Sequence, residues 1–310
     1  MTEIESFRHN PLIDPTLHIW GWEIAVYLFL GGLTAGIMIV SALIGKRVPA
    51  EAQSRWMRWM PFAAPLLLSV GMLALFLDLE QKVHVFRFYT AFRLTSPMSW
   101  GSWILLLIYP ASLLFGLARL TDQELACIPF VRRSLIALAA WAKTNIRQLE
   151  RANVILGVAL GAYTGVLLGT LGARAAWSSV VLAPLFLASG ISTGAALVML
   201  FPISESEHQQ LRNWDMAVIA LESLLLALFF VDLVADGGKR GHSAAGLFLG
   251  GAYTATFWSF VVIAGLALPL LVELLESRRP ARASILAPAL LLLGGFALRW
   301  ILTAAGQAAI

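Results

Sequence analysis

Eight long apolar segments constrain the fold of this chain more than any other feature of its sequence. A helix that crosses the hydrocarbon core of a bilayer needs about 20 mostly apolar residues. Of the 310 residues 59% are apolar and 13% are charged, which excludes disordered, coiled-coil and disulfide-scaffold classes and disfavours a soluble α/β enzyme. We therefore predict an all-α integral membrane protein with eight transmembrane helices. The predicted spans are residues 19–44, 61–79, 99–119, 152–173, 179–201, 214–234, 246–272 and 284–305.

Residues 122–150 are too polar to cross the bilayer and predict an interfacial amphipathic helix. This linker separates two sets of four spans, so we expect one four-helix bundle from residues 1–121 plus 151–178 and another from residues 179–310. The strings LFLGGLTAG (Leu28–Gly36) and LFLASGISTG (Leu185–Gly194) indicate an internal duplication. Four spans per repeat would relate the two bundles by an axis near the membrane normal. Chance recurrence of Leu and small residues is the alternative.

The charge distribution predicts the orientation in the membrane. Lys and Arg are more numerous in the loops after the odd-numbered spans than on the opposite side. Because basic loops remain in the cytoplasm, we expect both termini on the outer side. The net charge of +4 follows from this bias and does not indicate nucleic-acid binding.

Cysteine and histidine, the residues that bind iron–sulfur clusters and haem, are few and poorly placed for a redox centre. One cysteine, Cys127, cannot form an internal disulfide, a zinc site or an iron–sulfur cluster. A b-type haem held by two histidines needs both of them inside the bundle. All five histidines fall in predicted loops or at span ends; they are His9, His18, His84, His208 and His242. We therefore expect neither haem nor cluster in this chain.

Three ionisable residues inside the second set of spans are candidates for a proton path. Each costs on the order of 2.5–3.5 kcal/mol to insert near the bilayer centre, so a function is expected of it. Glu222 lies near the middle of the sixth span, and Asp215 precedes it by two helical turns on the same face. Arg299 lies in the eighth span. The alternative for Glu222 is a neutral, hydrogen-bonded carboxyl group. For Arg299 we favour the alternative, an ion pair with an acid of another span.

Polar residues concentrate at the outer end of the first set of spans. A quinone site needs hydrogen-bonding groups for two head-group oxygens, a route for protons and an apolar opening for the tail. The candidate quinone-binding residues are Glu23, Tyr27, Asp78, His84, Ser99, Trp100 and Tyr163. Asp78, His84 and Tyr163 are the predicted catalytic residues. For each of these residues, an ordinary anchor at the membrane interface is the alternative.

Several strings resemble the polysulfide reductase membrane subunit (NrfD) family, and the resemblance covers nearly the whole chain. The spacing between LDLE and TSPMSWGSW is the most specific part of it. The strings are YLFLGGLTAG (Tyr27–Gly36), LDLE (Leu77–Glu80), TSPMSWGSW (Thr95–Trp103), GAYTGVLLG (Gly161–Gly169), SGISTGAAL (Ser189–Leu197) and GGFALRW (Gly294–Trp300).

The resemblance implies a quinone-reactive subunit of a respiratory oxidoreductase in a bacterial or archaeal cytoplasmic membrane, without complete activity of its own. It implies menaquinone or ubiquinone as the bound cofactor. It also implies an iron–sulfur partner on the outer face and a catalytic partner, either a molybdenum or tungsten enzyme or a multihaem cytochrome. Some members are proposed to translocate protons.

Residue by residue, the resemblance carries over to few positions. Tyr163 matches the family's tyrosine in the fourth span, and Asp78 matches the acid that ends the second. Glu23 and Tyr27 lie near its polar residues in the first span, although some members have His at the position of Tyr27. His84 follows the acid where some members carry a histidine. A secondary transporter built from two parallel four-helix repeats, and an anchor without a quinone site, are the rival functions.

Overall fold

The computed structural model describes residues 20–47, 52–79, 81–90, 93, 95–126, 133–170, 174–236, 238–278 and 284–308. These residues form helices and turns, and no strand occurs among them. Eight helical spans are long and apolar enough to cross a bilayer, which confirms the predicted fold class. The spans are Trp22–Arg47, Arg55–Asp78, Pro97–Arg119, Ile146–Gly169, Leu182–Met199, Glu205–Ala235, Thr254–Arg278 and Leu286–Ala308.

Two of the spans are not continuous α-helices. A 3₁₀ turn, Met60–Phe62, interrupts the second span where Pro61 has no amide hydrogen to donate. A π-helix, Phe257–Ala267, occupies the middle of the seventh span. Within the described residues, five shorter helices lie outside the spans: Lys82–His84 (3₁₀), Arg87–Thr90, Asp122–Ala126, Arg133–Thr144 and Gly238–Phe248.

The sixth span begins at Glu205 rather than at the predicted residue 214. Ser204 and Glu207 form a reciprocal capping box at its start. The Glu207 amide donates to the Ser204 hydroxyl (3.3 Å), and the Ser204 amide donates to the Glu207 carboxylate (2.9 Å). The first turns are therefore helical although they are too polar to count in a hydropathy window.

The seventh span begins at Thr254, so the predicted start at residue 246 was wrong. Residues before it form the separate helix Gly238–Phe248, which ends in a turn. At this turn Gly250 has a φ of 154°, a conformation that favours glycine, and its amide donates to the Thr254 hydroxyl (2.7 Å). The span then continues to Arg278, beyond the predicted end at residue 272.

The linker predicted as one helix over residues 122–150 contains two helices, Asp122–Ala126 and Arg133–Thr144. Residues 146–150 belong to the first turns of the fourth span. Arg58, at the start of the second span, donates to both carboxylate oxygens of Glu124 (2.8 and 2.9 Å). Burial alone would raise the pKa of Glu124, but hydrogen bonds from Arg58 and Thr121 and the Arg58 charge lower it to about 2. The linker is thus tied to the neighbouring loop.

The first span lies at the centre of the molecule and packs against the second, fourth, fifth and eighth. It meets the fifth span at glycines: a Cβ atom on Gly36 would clash with the backbone of Gly190 and Gly194. Small residues allow such close helix approach inside a membrane. The two strings that suggested a duplication therefore pack against each other, and the duplication itself stays a prediction.

Candidate functional site

A cavity of about 300 Å³ lies among the first four spans, at the end that holds the start of the first span. Its walls come from the first four spans and from the segment between the second and third. Most of the lining side chains are apolar. The polar side chains are Tyr27, Asp78, Tyr89, Ser102, Tyr163 and Thr170.

Tyr27 and Tyr163 project into this cavity from the first and fourth spans. Both residues are buried, with 3% and 7% of their surface exposed. Gly101 of the third span makes room for Tyr163, because a Cβ atom at Gly101 would clash with the phenol ring. Within the described part of the chain neither phenol oxygen has a hydrogen-bond partner, so both can bond to a ligand.

One carboxyl group lines the cavity, and a second lies near it. Asp78 ends the second span, is half-buried and lines the cavity. Glu23, which was predicted for the same site, lies outside the cavity lining in the first turn of the first span, but close enough for its charge to act on Asp78. A carboxyl group in the cavity wall with a second one beside it suits proton transfer.

His84, Ser99 and Trp100 were predicted for the same site, but the structure places them outside the cavity lining. His84 is exposed in the 3₁₀ turn that follows the second span. The Ser99 hydroxyl accepts a hydrogen bond from the Arg93 amide (3.0 Å) and so anchors the preceding loop. Trp100 is 44% exposed on a different face of the third span.

Tyr89 and Ser102 line the cavity but were not predicted from the sequence. Met98, Ser102 and Leu105 share one face of the third span, so helical spacing would have selected Ser102 over Ser99 once the helix start was known. Tyr89 lies in the short helix Arg87–Thr90, where no regular pattern shows its direction. Burial raises the pKa of Tyr89, which keeps this phenol protonated as a hydrogen-bond donor.

A second polar cluster lies among the fifth to eighth spans. Asp215, Glu222 and Glu273 are each no more than 5% exposed. Asp215 interacts with Glu273 and Ser192, although no carboxyl oxygen of Asp215 or Glu273 has a described partner in good hydrogen-bond geometry. Glu222 interacts with Ser189 and Arg299. The predicted residues Asp215, Glu222 and Arg299 therefore belong to one buried polar strip.

Arg299 is fully buried where the first, fifth and eighth spans meet. Its guanidinium donates to four oxygen atoms: Leu28 O (3.2 Å), Phe186 O (3.1 Å), Gly295 O (2.8 Å) and Ser189 Oγ (3.1 Å). No acidic oxygen of the described residues lies within 4.0 Å of it, but the charge of Glu222 on the sixth span acts on it, so the predicted partner acid is nearby without a direct contact. Carbonyl groups satisfy this buried cation instead.

Metal ligands do not converge in the part of the chain that the structure covers: no group of three His, Cys, Asp or Glu side chains occurs there. His9, His18 and Cys127 lie outside the described residues. The absence of haem and of iron–sulfur clusters from this chain stays a prediction.

Comparison with known proteins gives the family. Residues 9–310 match the model of the family described as "Polysulphide reductase, NrfD". The chain is 33% identical over 302 residues to the C subunit of polysulfide reductase from Wolinella succinogenes, covering 93% of this chain and 94% of that protein. It is 30% identical over 322 residues to NrfD of Escherichia coli, with 99% of each covered. An NrfD homolog of Haemophilus influenzae is 27% identical over 321 residues. The chain is therefore a multi-pass membrane protein that belongs to the polysulphide reductase NrfD family.

Proposed function

We propose that this chain is the quinone-reactive membrane subunit of a respiratory reductase complex. It would exchange electrons between menaquinone or ubiquinone in the bilayer and an iron–sulfur subunit docked on the outer face. The observation that supports this most is the apolar cavity of the first bundle, in which two buried phenols have no described hydrogen-bond partner.

The chemistry of the cavity fits a quinone head group. Its volume of about 300 Å³ is at the small end of ligand sites, and apolar side chains with a few polar groups are the usual lining. A quinone carries two electrons and two protons when it is reduced, so its site needs hydrogen-bond donors and a proton route. Tyr27, Tyr163 and Tyr89 can donate, and Asp78 lies in the cavity wall.

The residues of the cavity would have different roles, namely binding of the head group and proton transfer. The hydroxyls of Tyr27 and Tyr163 would hold the head group by hydrogen bonds, one from each side of the cavity. Asp78 would hold or release a proton at its carboxyl oxygen and pass it towards Glu23 and the aqueous phase. Because most of the other lining side chains are apolar, a proton would enter or leave the cavity through the carboxyl group of Asp78.

Partner subunits are proposed from the relatives and from the surface beside the cavity. The Wolinella relative is named as one lettered subunit of polysulfide reductase, and such a name implies further subunits in that enzyme. In this protein, apolar side chains outside the spans are exposed at the same end as the cavity: Val83 is 82%, Phe86 55% and Val180 83% exposed. Exposed apolar side chains at this end fit a docked subunit. This subunit would be the iron–sulfur protein. It would connect to a molybdenum or tungsten enzyme or a multihaem cytochrome.

Substitution of the cavity tyrosine tests the proposal in the purified complex. Tyr163→Phe removes a hydrogen bond worth about 1 kcal/mol, so we expect KM for quinol to rise about fivefold. The matched control is Tyr253→Phe, because Tyr253 lies just before the seventh span and outside the cavity lining. The measurement is quinol-dependent reduction of the partner's iron–sulfur clusters. Equal effects of both variants, or no quinol-dependent reduction in the wild type, would contradict the proposal.

Proton movement through the second bundle is a second candidate function. It is favoured by the buried strip of Asp215, Glu273, Glu222 and Arg299, which the quinone cavity does not explain. We expect Glu222→Gln to keep quinol turnover but to abolish proton uptake coupled to it in proteoliposomes. Asp232→Asn, on the same span but outside the strip, is the control. Proton uptake that is unchanged in Glu222→Gln would leave the strip a structural feature only.

A further inference from the structure

A second cavity, of about 1010 Å³, opens at the opposite end of the first bundle. Its walls are the last turns of the first and third spans, the first turns of the fourth span and parts of the linker helices. It is therefore separated from the quinone cavity by the length of the bundle, and the proposed quinone chemistry does not involve it.

Basic side chains outnumber acidic ones around this cavity. Five cations line it: Lys46, Arg119, Lys143, Arg147 and Arg151. The lining acids are Asp122 and Glu150; Asp122 pairs with one cation, whereas the charges of Arg119, Lys46 and Arg147 all act on Glu150. Lys143 pairs with Asp122 at 2.6 Å, and Arg119 lies 3.9 Å from Glu150. The hydrogen bond and the charge of Lys143 lower the pKa of Asp122, which marks this pair as an ionised one.

Lys46, Arg147 and Arg151 have no ion pair with any described residue. Arg147 and Arg151 lie one helical turn apart on the fourth span, so their guanidinium groups project on the same side. Paired guanidinium groups bind the oxygens of a phosphate through several short hydrogen bonds. The site thus has a surplus of positive charge, with two guanidinium groups on the same side of the fourth span.

The same cavity has an apolar wall that continues along the lipid-facing side of the bundle. Leu43, Val154 and Ile155 line it, and Ile155 is 66% exposed. Val158, 41% exposed, follows about one turn further along the fourth span. A ligand that satisfies both parts of the cavity has an anionic head and a hydrocarbon tail.

We propose that this cavity binds an anionic phospholipid. Its phosphate would lie against Lys46, Arg147 and Arg151, and an acyl chain would lie along Leu43, Ile155 and Val158. Free phosphate shares the head-group chemistry, but it would leave the apolar wall without a partner. In the predicted orientation the cavity faces the cytoplasmic leaflet, where basic pockets between membrane helices bind anionic head groups.

The test measures lipids retained by the complete complex in mild detergent, by native mass spectrometry. Delipidated complex is titrated with phosphatidylglycerol, phosphatidylcholine or inorganic phosphate. The pocket variant is Arg147→Gln with Arg151→Gln. The control, Arg55→Gln with Arg278→Gln, removes the same charge from exposed residues at the same end of the molecule.

We expect the pocket variant to retain about tenfold less phosphatidylglycerol than the wild type, whereas the control variant retains the wild-type amount. Equal losses in both variants would show unspecific attraction to a basic face and overturn the proposal. Phosphatidylcholine bound as well as phosphatidylglycerol would overturn the role of charge. Displacement of the lipid by millimolar inorganic phosphate would assign the site to free phosphate instead.

A third variant guards against loss of folding in the double substitution. Ile155→Ser changes the apolar wall without touching a charge. It should weaken phosphatidylglycerol binding while binding of inorganic phosphate stays unchanged, and an unaffected lipid affinity would contradict the proposed path of the acyl chain.

Discussion

Arg299 connects three spans through oxygen acceptors, and this environment predicts how the protein responds to its loss. Arg299→Met would remove the buried side-chain donor that joins the carbonyl groups of Leu28 and Phe186 on two different spans. We expect a loss of about 3 kcal/mol in stability. The stability of Arg299→Lys should lie between those of the wild type and Arg299→Met, because an ammonium group cannot reach all four acceptors.

The measurement is the thermal midpoint of the detergent-solubilised protein. Arg278→Met is the control, since Arg278 ends the seventh span and is exposed. If Arg299→Met melts at the same temperature as this control, the hydrogen bonds around Arg299 do not hold the spans together.

At the level of single residues, the sequence indicated which charged side chains are buried within the spans. It did not indicate which face of a helix a side chain lies on. Asp215, Glu222 and Arg299 stood out because charged residues are rare inside apolar segments, and the structure places all three in one strip. Glu273 was missed because the predicted seventh span ended one residue before it. Ser99 and Trp100 were chosen over Ser102 because the string alone does not show which helical face meets the cavity.

Among the elements, the crossing of the first and fifth spans depends on glycine. Gly36→Val would push a branched side chain into the backbone of Gly190 and Gly194. The two spans must then separate, so we expect little folded protein and a thermal midpoint lowered by several degrees. Gly246→Ala is the matched control, because a Cβ atom there meets nothing within 4 Å and alanine favours the helix by about 0.5–1 kcal/mol.

The measurement is the yield of monodisperse protein together with its thermal midpoint, for both variants. Gly36→Val with normal yield and stability would show that these spans tolerate a wider separation. A matching loss in Gly246→Ala would show that the effect arises from the loss of glycine itself rather than from the crossing.

The number of membrane-spanning helices could be predicted from the sequence, whereas the residues at which they begin and end could not. Hydropathy reports the apolar part of a helix, so all eight spans were found. It does not report the polar turns that Ser204 and Glu207 cap, nor the turn at Gly250 that divides the predicted seventh span. The linker was misjudged for a related reason, since its polar residues 146–150 continue into the fourth span.

For the molecule as a whole, orientation links the two cavities to the two sides of the membrane. Basic residues cluster at the end that carries the large cavity, and the quinone cavity lies at the other end. By the positive-inside rule we expect the cavity proposed to bind quinone, and the exposed Val83 and Val180, on the outer side. A partner that delivers or accepts electrons near the quinone would have to dock there.

Labelling of single cysteines checks this orientation. In a variant that carries Cys127→Ala and is produced without the partner subunits, so that the proposed docking surface is uncovered, we expect Val83→Cys and Val180→Cys to react with a membrane-impermeant maleimide in intact cells. Arg278→Cys, at the basic end, should react only after the cells are made permeable. The eight spans fix which loops share a side of the membrane. If only Arg278→Cys reacted in intact cells, the whole molecule would have the opposite orientation. It would place the proposed iron–sulfur partner in the cytoplasm and the proposed lipid site in the outer leaflet, and so overturn the outer-face docking proposed for the complex.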